Sequence, residues 1–466
     1  MPRCKAGIIR GLRPGSALHG FTLNTSPSVP PLVETARPSA CPGLFRVVQA
    51  LDGGICRIKL PGGSISSAQA RAVAEAAQQF AGGVIEATNR ANLQIRGIGE
   101  AHAALVERLV GAGLGSSTVS GDDVRNLMLS PCAGLDRHRL VDIRPLAEDI
   151  LASLQSHQRF HQLSAKFAVQ LDAGEALAML EHHHDVWLSA TEVEGRMMLA
   201  FGLAGSPVDP PLAAVPLAVG HELVFKILEL FLDLARNDQA RMRHLLAEYP
   251  AADFLAQLTQ RLSVAPVPVS DWCRRVDTQP LHLGVHPQCT RGRVYVGTVA
   301  PLGRLDPLML SGAASLADEY GDGTLRFTPW QGLLLPNLRE RDAPHVIERL
   351  QQLGWLCSPT QALARVIACT GSAGCEKSRA DTKHDGLQLA ALLQQQDTEL
   401  SVHLSGCPRS CAAAHIAPVT LLAVSPGHYD LYFREAGQPG FGALHARNLT
   451  IEAVGALLDA RSRSPF

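Results

Sequence analysis

PGGSISSAQARAVAEAAQQFAGGVIEATNRANLQI (61–95) and PLGRLDPLMLSGAASLADEYGDGTLRFTPWQGLLL (301–335) read as one piece of chain written twice. A shift of 240 positions lays Pro61 on Pro301, Gly63 on Gly303, Ala74 and Ala77 on Ala314 and Ala317, Gly83 on Gly323, Thr88 on Thr328 and Leu93 on Leu333. Farther out, Arg125 meets Arg365 and Ala133-Gly134 meets Ala373-Gly374. One residue of slippage aligns Glu107-Arg108-Leu109 with Glu348-Arg349-Leu350. Matches spread this widely indicate a duplication with two-fold pseudosymmetry, in a unit too long for a solenoid.

Each copy opens with an alternating strand (Ile55, Arg57 and Lys59; Val294, Val296 and Val299) and a Pro/Gly turn. An Ala-rich amphipathic helix follows (Ala68 to Phe80; Pro307 to Tyr320), then a second strand (Ile85 to Ile95; Leu325 to Leu335). This pattern predicts an α+β fold in which two such units share one sheet across the pseudo-dyad. Residues 38–110 and 273–350 are expected to form that paired domain, with 115–268 and 356–466 as two further α+β domains. The helical stretch 219–262 reads as an insertion ended by the Pro-rich run Ala265 to Val269, and residues 1–37 read as a mobile leader.

The 466 residues are globular in composition and carry a formal net charge of −1, with no dense basic run. That excludes a general nucleic-acid binder, which needs a field of Lys and Arg. No long uncharged apolar stretch and no signal-peptide core are present, so a cytoplasmic chain without a membrane partner is expected.

Eleven cysteines in such a chain favour metal ligands or buried thiols over disulfides. Cys4, Cys41, Cys56, Cys132, Cys273, Cys289 and Cys357 are scattered singly. Cys369, Cys375, Cys407 and Cys411 form two close pairs, the ligand number of an iron–sulfur cluster or a structural zinc. Zinc knuckles are tighter than the Cys369/Cys375 spacing, whereas a cluster accepts wider loops. Small residues at Gly371, Ser372, Ala373, Gly374, Gly406, Ser410 and Ala412 would allow close backbone approach to cluster sulfides. His182-His183-His184-Asp185 superficially suggests an iron site, but consecutive residues cannot all face one metal, and a solvated turn is expected. His403 and His415 flank the second pair and read as hydrogen-bond donors, not ligands.

ACTGSAGC (368–375) and SGCPRSC (405–411) resemble the cluster-binding motifs of the nitrite and sulfite reductase family, and the internal repeat is similar to that family's architecture. The resemblance covers most of residues 38–425, including RIKLPGG (57–63), TNRANLQIRG (88–97), DDVRNLMLSPCAG (122–134) and LSAKF (163–167). It implies pseudo-two-fold ferredoxin-like halves, plus the two α+β domains. It also implies one [4Fe–4S] cluster on Cys369, Cys375, Cys407 and Cys411, with Cys411 bridging to the iron of a siroheme. Arg57, Arg90, Arg125 and Lys166 match positions that hold tetrapyrrole carboxylates or the small anion. Charge pairing of that kind is what a polycarboxylate macrocycle requires.

Two positions depart from the family pattern: Ala168 stands where sulfite reductases place a second lysine, and Arg409 where Asn is frequent. With the stretches CPGLFRVVQALDGGICRIKLPGG (41–63) and VHLSGCPRSCA (402–412), the chain looks most like the family's precorrin-3B synthase branch. That branch implies O2-dependent hydroxylation of precorrin-3A with γ-lactone formation, an NADH-linked or ferredoxin-type electron donor, and either siroheme or a second, mononuclear non-haem iron. A siroheme-dependent sulfite or nitrite reductase is the runner-up. A monomer is expected.

Overall fold

A computed structural model of the chain describes residues 41–269, 272–277, 279–396, 400–413, 417–435, 438 and 440–463. The leader expected over residues 1–37, with Cys4 and His415, lies outside the described residues.

The repeated segment folds as two matching halves. In the first, helix Ser67–Phe80 starts at a capping box in which Ser66 and Gln69 satisfy each other's backbone N–H groups. In the second, Asp306 caps helix Pro307–Tyr320, whose first residue is proline. Both helices end before a glycine with φ near +74°, Gly83 and Gly323, a conformation that costs other residues a Cβ clash. The stretches read as single second strands are hairpins instead: Val84–Ala87 with Leu93–Ile98, and Thr324–Thr328 with Gly332–Arg339. Ala91 and Gln331, with φ of 55° and 59°, sit in the turns of the two hairpins. Apolar runs hide such turns when no Gly or Asn marks the left-handed residue.

The halves do not share one sheet. They form two five-stranded sheets that exchange edge strands. Arg304–Leu305 of the second half pairs with Val84–Ala87 of the first, and Ser64–Ser66 of the first pairs with Thr324–Thr328 of the second. Helix residues Ala70, Val73, Ala74 and Ala77 meet Leu310, Ala313, Ala314 and Ala317 in a single continuous core. Small Ala side chains let the two helices approach closely enough to make that core.

The duplication continues beyond the paired halves. Leu127–Leu129, Val169–Asp172 and His184–Val193 run parallel, followed by the antiparallel strands Arg196–Gly205 and Ala213–Pro216. Val366–Ala368, Val402–Ser405, Val419–Ser425, His428–Phe433 and Ala443–Leu449 repeat this order and these directions. Helices Arg144–Ser156 and Thr382–Gln395 follow the first strand of each sheet, and Gly220–Leu234 and Ile451–Arg463 follow the last. The 219–262 stretch is therefore not merely inserted. Leu223, Val224, Ile227 and Phe231 of its first helix pack in one core with Val186, Leu188 and Phe201. Among the described residues no helix is long and apolar enough to cross a membrane.

Candidate cluster and tetrapyrrole site

Both cysteine loops leave the same edge of one sheet. Val366–Ala368 and Val402–Ser405 are parallel neighbours, with Ala368 opposite Leu404. Cys369 therefore follows one strand end, and Cys407 the other. The loops are joined by Cys369 N donating to Leu404 O (3.2 Å) and Arg379 N to Gly406 O (2.9 Å). Gly406 N donates to Cys369 Sγ at 3.2 Å, and Thr382 Oγ1 lies 3.3 Å from the same sulfur. Backbone N–H groups aimed at sulfur are what a thiolate ligand needs. Gly406 packs so close that a Cβ there would collide with Ser378, and at Gly371 (φ +79°) one would lie 2.8 Å from Thr382 N. Cys369, Cys375 and Cys407 are half-buried, and Cys411 is exposed. Burial, then the neighbouring Cys407, Cys369 and Cys375, push the Cys411 thiol up. The four sulfurs thus share one neighbourhood.

Among the described residues no three His, Cys, Asp or Glu side chains are close enough to hold a single metal ion. As placed, the thiols are too spread for a tetrahedral zinc, and four thiolates with a small-residue cradle fit a cubane.

A charged network fastens the Cys369–Cys375 loop to the paired halves. Arg96, 3% exposed, donates to both Asp52 oxygens at 2.8 Å and to Gly374 O at 3.1 Å. Glu86 accepts from Arg304 (3.0 Å) and Thr370 Oγ1 (3.1 Å). Lys383 donates to Leu302 O and Ala368 O, and burial lowers its pKa to about 8. On the Cys411 side, Asn89 Nδ2 donates to Cys411 O and Gln331 Nε2 to Ala412 O, each at 3.1 Å. One donor comes from each half.

The basic residues converge beside this loop, with one exception. Arg57 is held by the Gln94 side-chain oxygen, and burial draws its pKa down against the pull of Cys41 and Cys411. Burial first, then Arg241 and Arg57, lower the Arg90 pKa to about 10. Among the described residues the Arg90 guanidinium makes no hydrogen bond or ion pair; only its backbone is bonded, to Thr88 Oγ1. Arg125 reaches Asp122 at 3.4 Å, and its Nε is buried without a partner. Arg90, Asn92, Arg125, Asn126, Ala168 and His184 line a cavity of about 20 Å³. Lys166 is exposed and does not line it.

Unpaired buried guanidinium groups are costly unless an anion completes them. The cleft therefore fits a ligand rich in carboxylates.

The expected solvated His turn is wrong. His182 and His184 are 2% and 3% exposed, and Asp185 is 2% exposed. Asp185 accepts from Ala168 N, Met242 N and Arg241, so it holds in place Ala168, which lines the cavity. The signal was the apolar run after Asp185, which marks a central strand buried on both faces. His403 is buried in its strand, and Arg409 is exposed. Lys59 was missed as an organiser: its buried ammonium donates to Asp122 O and Asp123 O at 3.0 and 2.5 Å, and burial lowers its pKa to about 8.

Over 393 residues the chain is 32% identical to the chloroplastic ferredoxin–nitrite reductase of Zea mays, covering 78% of this chain and 68% of that protein. The chain belongs to the nitrite and sulfite reductase family. The family model "Nitrite/Sulfite reductase ferredoxin-like half domain" matches residues 49–112 and 286–353, the two paired halves. "Nitrite and sulphite reductase 4Fe-4S domain" matches residues 120–265. None of the four paired cysteines lies in these stretches; they belong to the C-terminal copy of the second sheet.

The ferredoxin–nitrite reductase of Synechococcus elongatus is 28% identical over 394 residues, covering 79% of this chain and 76% of that protein. Sulfite reductase [ferredoxin] 1 of Mycolicibacterium paratuberculosis is 25% identical over 388 residues, covering 78% and 68%. The structure of the Mycobacterium tuberculosis NirA protein has the same fold, with a TM-score of 0.75 at 23% identity over 87% of this chain and 79% of that one. The duplicated α+β architecture read from the repeat is thus borne out. A [4Fe–4S] cluster and siroheme are the cofactors of this family, and the chain is an iron–sulfur oxidoreductase.

Proposed function

We propose that Cys369, Cys375, Cys407 and Cys411 hold the [4Fe–4S] cluster, and that Arg57, Arg90 and Arg125 hold tetrapyrrole carboxylates or the small anion beside it. The unpaired Arg90 guanidinium, next to the Arg57 that senses Cys411, carries this reading. The cluster, when bound, supplies single electrons at the cleft. The basic residues orient the macrocycle, while Asn89 and Gln331 hold the Cys411 and Ala412 carbonyls.

Two reactions use such machinery. Reduction of nitrite or sulfite by a ferredoxin has the broader support, from relatives bearing those names. Ala168 supports the other, O2-dependent hydroxylation of precorrin-3A with γ-lactone formation. It puts a buried methyl group into the cavity wall where an anion-reducing site would use a cation. Because Ala168 is an observation of the pocket itself, precorrin-3A is the first substrate to try.

Anaerobic incubation with precorrin-3A and an electron donor, then admission of labelled O2, should yield a hydroxylated lactone carrying one labelled oxygen. Steady reduction of nitrite or sulfite to ammonia or sulfide, with no labelled product, would establish the reductase instead.

A further inference from the structure

The cavity between Arg90 and Arg125 has a third polar wall. His184 opens strand His184–Val193 and is 3% exposed. Its Nδ1 lies 2.9 Å from His182 O. A carbonyl only accepts, so Nδ1 carries the proton and Nε2 of the neutral ring is a bare acceptor. Burial first, then the Arg90 charge, lowers the His184 pKa to about 3, which keeps the ring neutral.

Among the described residues no group donates to Nε2, yet this atom is not among the sealed, partnerless ones, and the residue lines the cavity. The cavity's other polar features are the Arg90 and Arg125 guanidinium groups and the amides of Asn92 and Asn126. At about 20 Å³ its closed part takes one water-sized group, such as the O–H of a small ligand seated between the two arginines.

We propose that His184 is a specificity-determining acceptor: its Nε2 takes a hydrogen bond from a proton-bearing small ligand whose lone pairs face Arg90 and Arg125. The ligand class is a small protic anion or hydroxyl compound, and an aprotic anion of equal size loses one bond. A cationic cavity alone would not discriminate between the two. A buried acceptor does, because an aprotic ligand leaves Nε2 desolvated and opposes it with a lone pair. The proposal rests on the cleft being the reacting site only for its consequence, that protonated species are favoured there.

Hydrogencarbonate and nitrate are planar monoanions of four heavy atoms that differ in one O–H, so they isolate this contact. Calorimetric titration of the full-length holoprotein in mildly alkaline buffer should show hydrogencarbonate binding about tenfold tighter than nitrate, the scale of one hydrogen bond. His184→Leu should bring the ratio near one, and His184→Gln, which keeps an acceptor oxygen, should retain part of it. Arg90→Ala should weaken both anions together.

A wild-type ratio near one, or a ratio unchanged in His184→Leu, overturns the proposal. So does loss of iron from His184→Leu beyond that of wild type, which would make His184 a metal ligand. Iron and sulfide content of the wild-type protein tests the cluster reading separately. If that reading fails, the anion ratio still stands or falls by itself.

Discussion

The duplication leaves two related clefts, and they differ in what lines them. The 240-residue shift places Trp330 at the position of Arg90 and Arg365 at that of Arg125. Aligning the parallel strands by their register, Val169 opposite Val186 and Val402 opposite Val419, puts Ser401 where Ala168 stands and Ala417 where His184 stands. The second cleft, about 620 Å³, is lined by all four of these residues, and Trp330 stacks on His282 at 5.0 Å and 11°. Beneath it Cys132, Leu177, Tyr295 and Leu334 form a small apolar core. The C-terminal copy follows its second strand with the loop of Cys407 and Cys411. The first copy follows its own with Glu175, whose carboxyl is fully buried beside the Asp172–Arg274 ion pair. One backbone thus supports a cleft of clustered arginines beside the paired cysteines and another lined by the stacked rings of Trp330 and His282. Strand order sets where a cleft forms, and a handful of side chains set its chemistry.

The sharpest break of this comparison is in iron. Cys411→Ser or Cys375→Ser should abolish the cluster in anaerobically purified protein, while Cys132→Ala, in the other cleft, should leave iron and sulfide unchanged. Stoichiometric zinc, or full iron in Cys375→Ser, would end the cluster assignment.

Stability should also divide between the copies. Phe201 fills the core of the first, and Phe201→Ala should cost about 3–5 kcal/mol in urea unfolding. In the C-terminal copy buried Tyr429 donates to Asp385 Oδ2 at 2.5 Å, and Tyr429→Phe should cost about 1–3 kcal/mol for the orphaned carboxylate.

Arg90→Ala should weaken tetrapyrrole binding by roughly 1.5–3 kcal/mol at normal cluster content, the scale of a charge-assisted bond. Its counterpart in the comparison, Arg365→Ala, should change that affinity by less than about 0.5 kcal/mol. Equal losses would mean the macrocycle does not distinguish the clefts.

The shallowest effect, read per pH unit, is in pH dependence. Burial, then Asp172, raise the Glu175 pKa from 4.5 to about 8. The folded state therefore binds the extra proton between those values. The stability Glu175 contributes is complete below about pH 4.5 and is lost as pH rises through about 8. The slope for one proton is at most about 1.4 kcal/mol per pH unit. Glu175→Gln should flatten that slope, as read from melting temperatures across the window.

Much of this was legible in one dimension. Pro61/Pro301, Gly63/Gly303 and Gly83/Gly323 recur because both copies need the same turns, and backbone requirements are local. The four cysteines proposed as cluster ligands were legible because they fall in two close pairs whose spacing suits loops around a cluster. Arg57, Arg90 and Arg125 were readable from motifs, and the structure brings them together. Lys166 belongs to the same motif set, but its side chain is exposed.

The rest depended on contacts between distant residues. The exchanged edge strands are two or three residues long, and nothing local distinguishes Ser64–Ser66 or Arg304–Leu305 from loop; only pairing across the pseudo-dyad makes them strands. His184 became a pocket residue because a central strand carries it beside Arg90, which is 94 positions away in sequence. Burial and electrostatic environment are properties of assembled surfaces. The chain alone determined the duplicated frame and the paired cysteines proposed as sulfur ligands, and tertiary packing decided which cleft gathers the arginines, which is lined by aromatic rings, and which way a neutral histidine faces.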